Sequence, residues 1–351
     1  MSILDWMWRR ENAPTGAAGR RASDAIEQIV QTANPRLRLA RRYRDRLAPA
    51  VDALLAYADA CAEMFAPPRP ASAANWASDP ALNAFFATSE DVTQAFARSR
   101  ELRAYFDRLP EATQAVAVLG MALDERQVTG IGMAGDILHS GAASTTLSFS
   151  DHRVRICTDS EAALRKALAA RIVEQMALQA LSCITASESR RRQLEGERGA
   201  LAARLRLLQR QDVGLDPMFG ARPQGDRREW RKLEAQLARN ERELQAVGTG
   251  ADTLERQLEQ VREILSEPHQ HVGVATRRVR LTRMNVVLTA ATAEPSSEIE
   301  FQIVRYGGNR HVRAVVAVRY ARSELPPPAQ AMNESVLKEL DPAGFPTKHG
   351  G

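Results

Sequence analysis

From Trp230 the apolar positions recur in steps of three and four: Leu233, Leu237, Asn240, Leu244, Val247, Ala251, Leu254, Leu258, Val261 and Leu265. Such an alternation, held over five heptads, is the seam of a coiled coil. As one helix the stretch would extend about 54 Å at 1.5 Å per residue, far more than a compact core needs. Asn240 is the polar residue of the seam, the kind of buried group that fixes register at some cost in stability. Gly248 and Gly250 fall outside the a and d positions, so they are expected to soften the rod midway without breaking it.

The segment before this seam is also helical. Asp159 or Ser160 caps a helix that runs through Leu164, Leu168, Ile172, Met176 and Cys183 and on through Leu194, Leu201, Leu205 and Leu208, interrupted by Arg191 and Arg198. Residues 211–228 carry three glycines and two prolines, which a helix does not tolerate together. The simplest arrangement is an antiparallel helical hairpin over 160–266 with its tip at 211–228. At that tip Val213, Leu215, Met218 and Phe219 stand in a loop flanked by Arg222, Arg227 and Arg228. Apolar residues exposed in a basic frame make a candidate docking knob for another protein or a second copy.

Ile3, Leu4, Met7 and Trp8 share one helical face at the start of a flexible tail, 1–22. Residues 1–10 either fold back on the body or touch a membrane surface, although so short a segment buries little apolar area. From residue 23 to 126 the pattern is helical throughout. Asp24 and Glu27 are spaced like a capping box, and the helix after Asn34-Pro35 has an inner edge of Leu47, Val51, Leu54, Ala58, Cys61 and Phe65, ended by Pro67, Pro68 and Pro70. Further helices are expected at Asp79-Pro80, after Ser89, and at Pro110 with Val116, Leu119 and Leu123 inward.

Two-residue alternation replaces the helical period in 127–159 and again in 267–325, beginning at Val272. Ser150-Asp151-His152-Arg153 is a candidate turn between two strands. The clearest pairing is a hairpin closed by Tyr306-Gly307-Gly308-Asn309, in which Ile303 faces Val312, Phe301 faces Ala314 and Ile299 faces Val316. Its turn chemistry and one-sided apolar face agree. Neither strand group is large enough for a core, so both are expected in one sheet or sandwich. The fold class that follows is α+β, mostly α: an N-terminal helical bundle, then an antiparallel β domain with a long inserted coiled-coil hairpin, and a tail at 326–351 after Pro326-Pro327-Pro328.

Composition changes this picture little. The 351 residues are 44% hydrophobic and 26% charged, ordinary for a folded soluble chain. Four lysines stand against 44 arginines, a bias that base composition can produce without any nucleic acid. Cys61, Cys157 and Cys183 lie far apart, without the CxxC pairs of zinc sites or a disulfide framework. With no apolar run near the roughly 18 residues of a membrane span and no secretory signal, a cytoplasmic protein is expected.

Charge placement supports a second reading. Residues 272–322 hold nine arginines and three glutamates, a surplus of +6 against +5 for the whole chain. Six arginines also crowd 36–46. A nucleic-acid-binding factor would use Arg36, Arg38, Arg41, Arg42, Arg278, Arg280, Arg283 and Arg313 as phosphate contacts. Against it, Arg36–Arg46 scatter around the helix rather than gathering on one side, and few aromatics are present for base stacking.

The remaining motifs carry no activity. Gly130-Ile131-Gly132-Met133-Ala134-Gly135 has the dinucleotide-turn spacing but not the preceding buried strand and following helix, so it reads as a glycine-rich turn. His269-Gln270-His271 lacks a third ligand within its strand. No cofactor or metal is expected, and no nucleophile or P-loop signature stands above background. The leading expectation is a non-enzymatic interaction or scaffold protein. An enzyme with a site assembled from distant segments is the third reading.

Overall fold

The computed structural model describes residues 17–134, 137–211, 224–247, 252–288, 295–307 and 311–327. The protein is a mixed α and β structure with eight α-helices among these residues and a seven-stranded sheet. It divides into two compact units, one formed by the described residues up to Leu55 with Val173–Pro268, the other by Ala56–Ile172 with the described residues from His269 onward.

In the first unit, α1 (Ala17–Ala33) starts before the expected cap, so Asp24 and Glu27 lie inside the helix rather than forming a capping box. Asn34 caps a 3-10 turn, Pro35–Leu39, and α2 (Tyr43–Glu63) follows. The arginine run of 36–46 is therefore a turn, a left-handed residue at Arg42 (φ 54°) and a helix start, not one helix face. Glu27, on α1, is the hub: it accepts from the Tyr43 hydroxyl at 2.7 Å, Arg44 Nε at 3.0 Å and Arg38 Nε at 3.2 Å. The Tyr43 hydrogen bond, with Arg44 and Arg38 behind it, holds its carboxyl below the usual range despite partial burial. Leu47, Val51 and Leu54 are buried as their spacing predicts.

The second unit is built on β2 (Gln114–Ala134), β3 (Ile137–Thr158), β4 (Val272–Leu281), β5 (Val286–Val287), β6 (Ser297–Tyr306) and β7 (His311–Ala321), with β1 (Arg69–Pro70) alongside β7. Their order is β1-β7-β2-β3-β5-β4-β6, and β6 also pairs with β7, so the ladder returns on itself. All pairs are antiparallel except β1 with β7. The helix expected at Pro110 is instead the first half of β2. Ala115–Leu119 and Met121 are all buried, between β3 on one side and β7 on the other. A strand covered on both faces shows no alternation and imitates a buried helix in sequence.

Short helices α3 (Pro80–Phe85), α4 (Ser89–Ala97) and α5 (Arg100–Arg108) lay Phe85, Phe96, Leu102 and Phe106 into one core with the sheet. Their starts follow local rules. Asp79 caps α3, Thr88 and Asp91 form a reciprocal capping box on α4, and Ser99 caps α5.

Three strand expectations need correction. The 306–309 hairpin exists, but Ile303 faces Ala314 and Tyr306 faces His311, a register two residues longer in the turn. A shift of two leaves the same side chains inward, so the apolar pattern does not forbid it. Ser150–Arg153 is not a turn: β3 runs straight through, with a register shift opposite Gly120 and Ala122 and a left-handed Asp151 (φ 49°), the marks of a β-bulge. The glycine-rich 130–134 is strand, paired across to 137–142; Gly135 lies outside the described residues. Beyond Met121, where β7 leaves it, β2 pairs only with β3 as far as Ala134.

Candidate functional site

The residues proposed for docking belong to the first unit. α6 (Glu161–Gln211), which belongs to that unit from Val173 onward, is one helix of 51 residues. Ser160 is its cap, its hydroxyl accepting from Ala163 N at 3.2 Å. The returning chain is not one rod: α7 (Gln224–Val247) and α8 (Asp252–Ser266) are separate helices, with 248–251 outside the described residues. In sequence Gly248 and Gly250 lie between them, and two glycines cost a helix roughly 2 kcal/mol relative to alanine.

As α7 rises in number its partners on α6 fall. Glu229 pairs with Arg204 at 2.5 Å, Asn240 Nδ2 donates to Leu194 O at 3.1 Å, and Glu243 pairs with Arg190 at 2.5 Å. The same descent resumes on α8, where Arg191 Nη1 donates to Thr253 at 3.4 Å, Gln257 Nε2 to Glu188 at 3.1 Å and Gln260 Nε2 to Ser187 at 3.2 Å. Paired numbers add to 433 or 434 on α7 but to 444–447 on α8. The end of α7 and the start of α8 thus share one level of α6. Arg256 on α8 donates to the carbonyls of Gln245 and Ala246 that close α7. A groove of about 620 Å3 lies at this level, lined by Glu188, Arg190, Arg191, Val247, Arg256 and Glu259 among others.

Leu194, Leu233, Leu244, Leu258, Val261 and Leu265 are buried, while Leu237, Val247 and Leu254 of the same spacing are half-buried. Asn240 is buried too, and its Oδ1 has no hydrogen-bond partner. Of the tip residues, Val213, Leu215, Met218, Phe219 and Arg222 lie outside the described residues, as does the side chain of Arg227; Arg228 is exposed on the first turns of α7. Leu207, which the heptad count passes over, is 62% exposed near the end of α6. Leu178 and Leu181, one turn apart on the same helix, are exposed as well.

The arginines expected to touch phosphate are scattered and largely engaged within the chain. Arg38 pairs with Glu27, Arg42 with Asp45, Arg278 with Glu300 and Arg313 with Asp151. Arg280 donates to Ser296, and the Arg41 backbone N–H donates to Glu255. Arg36 and Arg283 are exposed. On β4, Arg278 and Arg280 share one face while Arg277 points to the other, where it pairs with Glu125. No single basic face collects them. No family model, curated protein or solved structure matches this chain.

Catalytic candidates fare no better. Cys61 is buried and Cys157 half-buried, and burial pushes both thiols up, Cys157 to about 12 with Glu101 adding to the effect. Neither is a thiolate at neutral pH. Among the described residues no cluster of three or more His, Cys, Asp and Glu side chains is placed to hold a metal. One helix is long and apolar enough to cross a membrane by length and composition, Glu161–Gln209, and 44% of its most apolar window is buried inside the protein. Its alanine-rich first half raises the mean without any unbroken apolar run. The segment 1–10 lies outside the described residues.

His152, once assigned to a turn, packs inward from β3. It stacks on Phe86 at 4.3 Å and its Nε2 lies 2.8 Å from Phe85 O. A carbonyl only accepts, so Nε2 carries the proton. Burial lowers its pKa below the usual 6.5, partly offset by the Phe85 hydrogen bond, Asp91 and Asp151. The unfolded chain therefore takes up this proton first, and stability is lost as pH falls through the ordinary value toward the folded one. Thermal melts from about pH 7 down to about pH 5 should show a steeper loss for the native protein than for His152→Gln, which keeps an N–H donor but does not titrate. Equal slopes would remove His152 as the cause.

Proposed function

We propose that this is a non-enzymatic protein-protein interaction or scaffold protein, and that α6, α7 and α8 act as an antiparallel coiled-coil hairpin whose tip, 211–228, engages the partner. What carries the reading is the length of α6. At 1.5 Å per residue its 51 residues extend about 76 Å. Side chains still pair close to the tip, through Arg204 and Glu229. The constant number sum along α7 supports the antiparallel pairing, and the buried leucines support the seam. Exposed Leu207, in the last turns of α6 before the tip, supports docking there, because a large apolar side chain beside a polar rim is the usual anchor of an interface. A nucleic-acid role has less support, since half of its eight candidate arginines already hold carboxylates of this chain and no single face collects them.

Replacing 211–228 by a short Gly/Ser turn tests the proposal. After nuclease treatment, affinity capture with the intact chain is expected to hold a specific partner that the tip-replaced chain loses by tenfold or more, about 1.4 kcal/mol. Light scattering of both chains covers the case in which the partner is a second copy. Identical captures and identical mass from the two chains would reject the tip as the docking element.

A further inference from the structure

Where α4 hands over to α5, the chain passes Arg98, Ser99 and Arg100 beside the bulged stretch of β3. Ser99 fixes the two together: its hydroxyl accepts from Leu102 N at 3.2 Å and donates to Val154 O at 3.0 Å. Between them lies a cavity of about 340 Å3 whose lining includes Arg98, Ser99, Arg100, His152, Arg153 and Arg155. The bulge at Asp151 is what turns this part of β3 toward the helix junction, since an extra residue bends a strand and re-aims its side chains.

Four arginines thus contribute to the lining of one small space, and two of them are answered by carboxylates. Arg155 pairs with Glu101 at 2.7 Å, and Glu101 is further held by Ile156 N at 2.8 Å. Arg153 pairs with Asp151 at 2.9 Å, which Arg313 also holds at 2.5 Å. Asp91, near His152, is engaged in its own capping box with Thr88. Arg98 and Arg100, both exposed, add two positive charges to the lining that no salt bridge among the described residues answers. The α5 N-terminus adjoins them with partial positive charge, offset by the α4 C-terminus that ends at Arg98.

We propose that this cavity binds a phosphate group in its dianionic form, carried by a small molecule or free. The two unanswered charges match a dianion. Paired planar guanidinium groups on adjacent elements offer the forked donors that phosphate oxygens take best. The volume sits at the lower end of small-ligand sites, which suits a phosphate or a small phosphate ester. His152, neutral and fixed by Phe85, adds a polar wall without adding charge.

The test uses the full chain, with calorimetric titration of inorganic phosphate and of glycerol phosphate at constant ionic strength. Native protein is expected to bind at least one of them saturably. Arg98→Gln/Arg100→Gln should weaken that binding by about tenfold or more, the loss of at least one charge-assisted hydrogen bond. Arg36→Gln/Arg42→Gln, which removes two arginines that are not part of this lining, should leave it unaltered. Tighter binding of the ester identifies a phosphorylated metabolite as the ligand, and equal or tighter binding of the inorganic ion identifies free phosphate. Should the double variant not fold, Arg98→Gln and Arg100→Gln are titrated singly, each expected to weaken binding. No saturable binding by native protein, or the same affinity in the Arg98 and Arg100 variants, overturns the proposal.

Discussion

Truncating Phe301 to alanine is expected to destabilise the sheet unit by about 3–5 kcal/mol, a fall in its melting temperature of roughly 10 °C. Phe301 is 0% exposed and sits where three elements meet. Its ring meets Phe149 of β3 at 5.5 Å and Phe85 of α3 at 6.2 Å, both edge-on, and those two rings meet each other at 4.9 Å. The substitution leaves a ring-sized void bounded by side chains that backbone hydrogen bonds hold in place, so collapse is only partial. Each edge-to-face contact adds roughly 0.5–1.5 kcal/mol beyond area burial. Val312→Ala, at the turn end of the same hairpin and 44% exposed, is the control, with an expected cost below about 0.5 kcal/mol. Denaturant titrations of the two variants settle it: equal midpoints would mean that the three-ring cluster is not the centre of this core.

That cluster was half legible beforehand. The inward assignment of Ile299, Phe301 and Ile303 follows from alternation alone and holds. The partners across the turn do not follow, because an apolar face specifies register only in steps of two. Gly307-Gly308 suggests a two-residue loop, whereas Tyr306 and His311 form the last pair and stack at 4.9 Å. Phe85 and Phe149 come from segments far away in sequence, and nothing local announces that they converge. β2 failed for another reason. Val116, Leu119 and Leu123 fit a helical stripe, yet Ala115, Ala117 and Val118 are buried as well, and a strand with two covered faces has no polar positions to reveal its period.

Charged residues were the least legible part of the candidate sites. Arginine counts give the surplus on 272–322, but which arginine is engaged depends on carboxylates remote in sequence, as in Arg313 with Asp151 or Arg46 with Glu255. Arg98 and Arg100 drew no notice because two arginines around a serine are common. What distinguishes them is a bulge on another element that brings Arg153 and Arg155 alongside. In sequence the polar run Ser150-Asp151-His152-Arg153 reads as a turn between two strands, whereas it is a bulge within one. Conversely the apolar spacing of 230–265 depends on local sequence alone, and Leu233, Leu244, Leu258, Val261 and Leu265 are buried.

Arg165→Leu is expected to cost about 2–3 kcal/mol, the largest effect of any single charged residue, although its charge is the smaller part of the reason. The last turn of α2 ends in Met64-Phe65-Ala66-Pro67 without a glycine to close it. Its carbonyls are satisfied from elsewhere. Arg165 Nη1 donates to Ala62 O at 3.1 Å and Nη2 to Phe65 O at 3.2 Å, while Gln302 Nε2 donates to Met64 O at 3.1 Å. Arg165 also pairs with Glu161 at 2.7 Å and Glu63 at 2.8 Å. Glu63 is 70% exposed, so Glu63→Gln should change stability by less than about 0.5 kcal/mol. Leucine at 165 instead leaves Phe65 O without its donor and Ala62 O with only the long contact from Phe65 N at 3.4 Å, and unsatisfied buried acceptors cost more than a lost surface pair. Arg165→Lys should fall between the two, because an ammonium cannot reach both carbonyls in the fixed fork geometry of a guanidinium. Denaturant midpoints in the order native, Lys, Leu, with Glu63→Gln beside native, are the expected result. If Glu63→Gln cost as much as Arg165→Leu, the ion pair rather than the capped carbonyls would be what holds the end of α2.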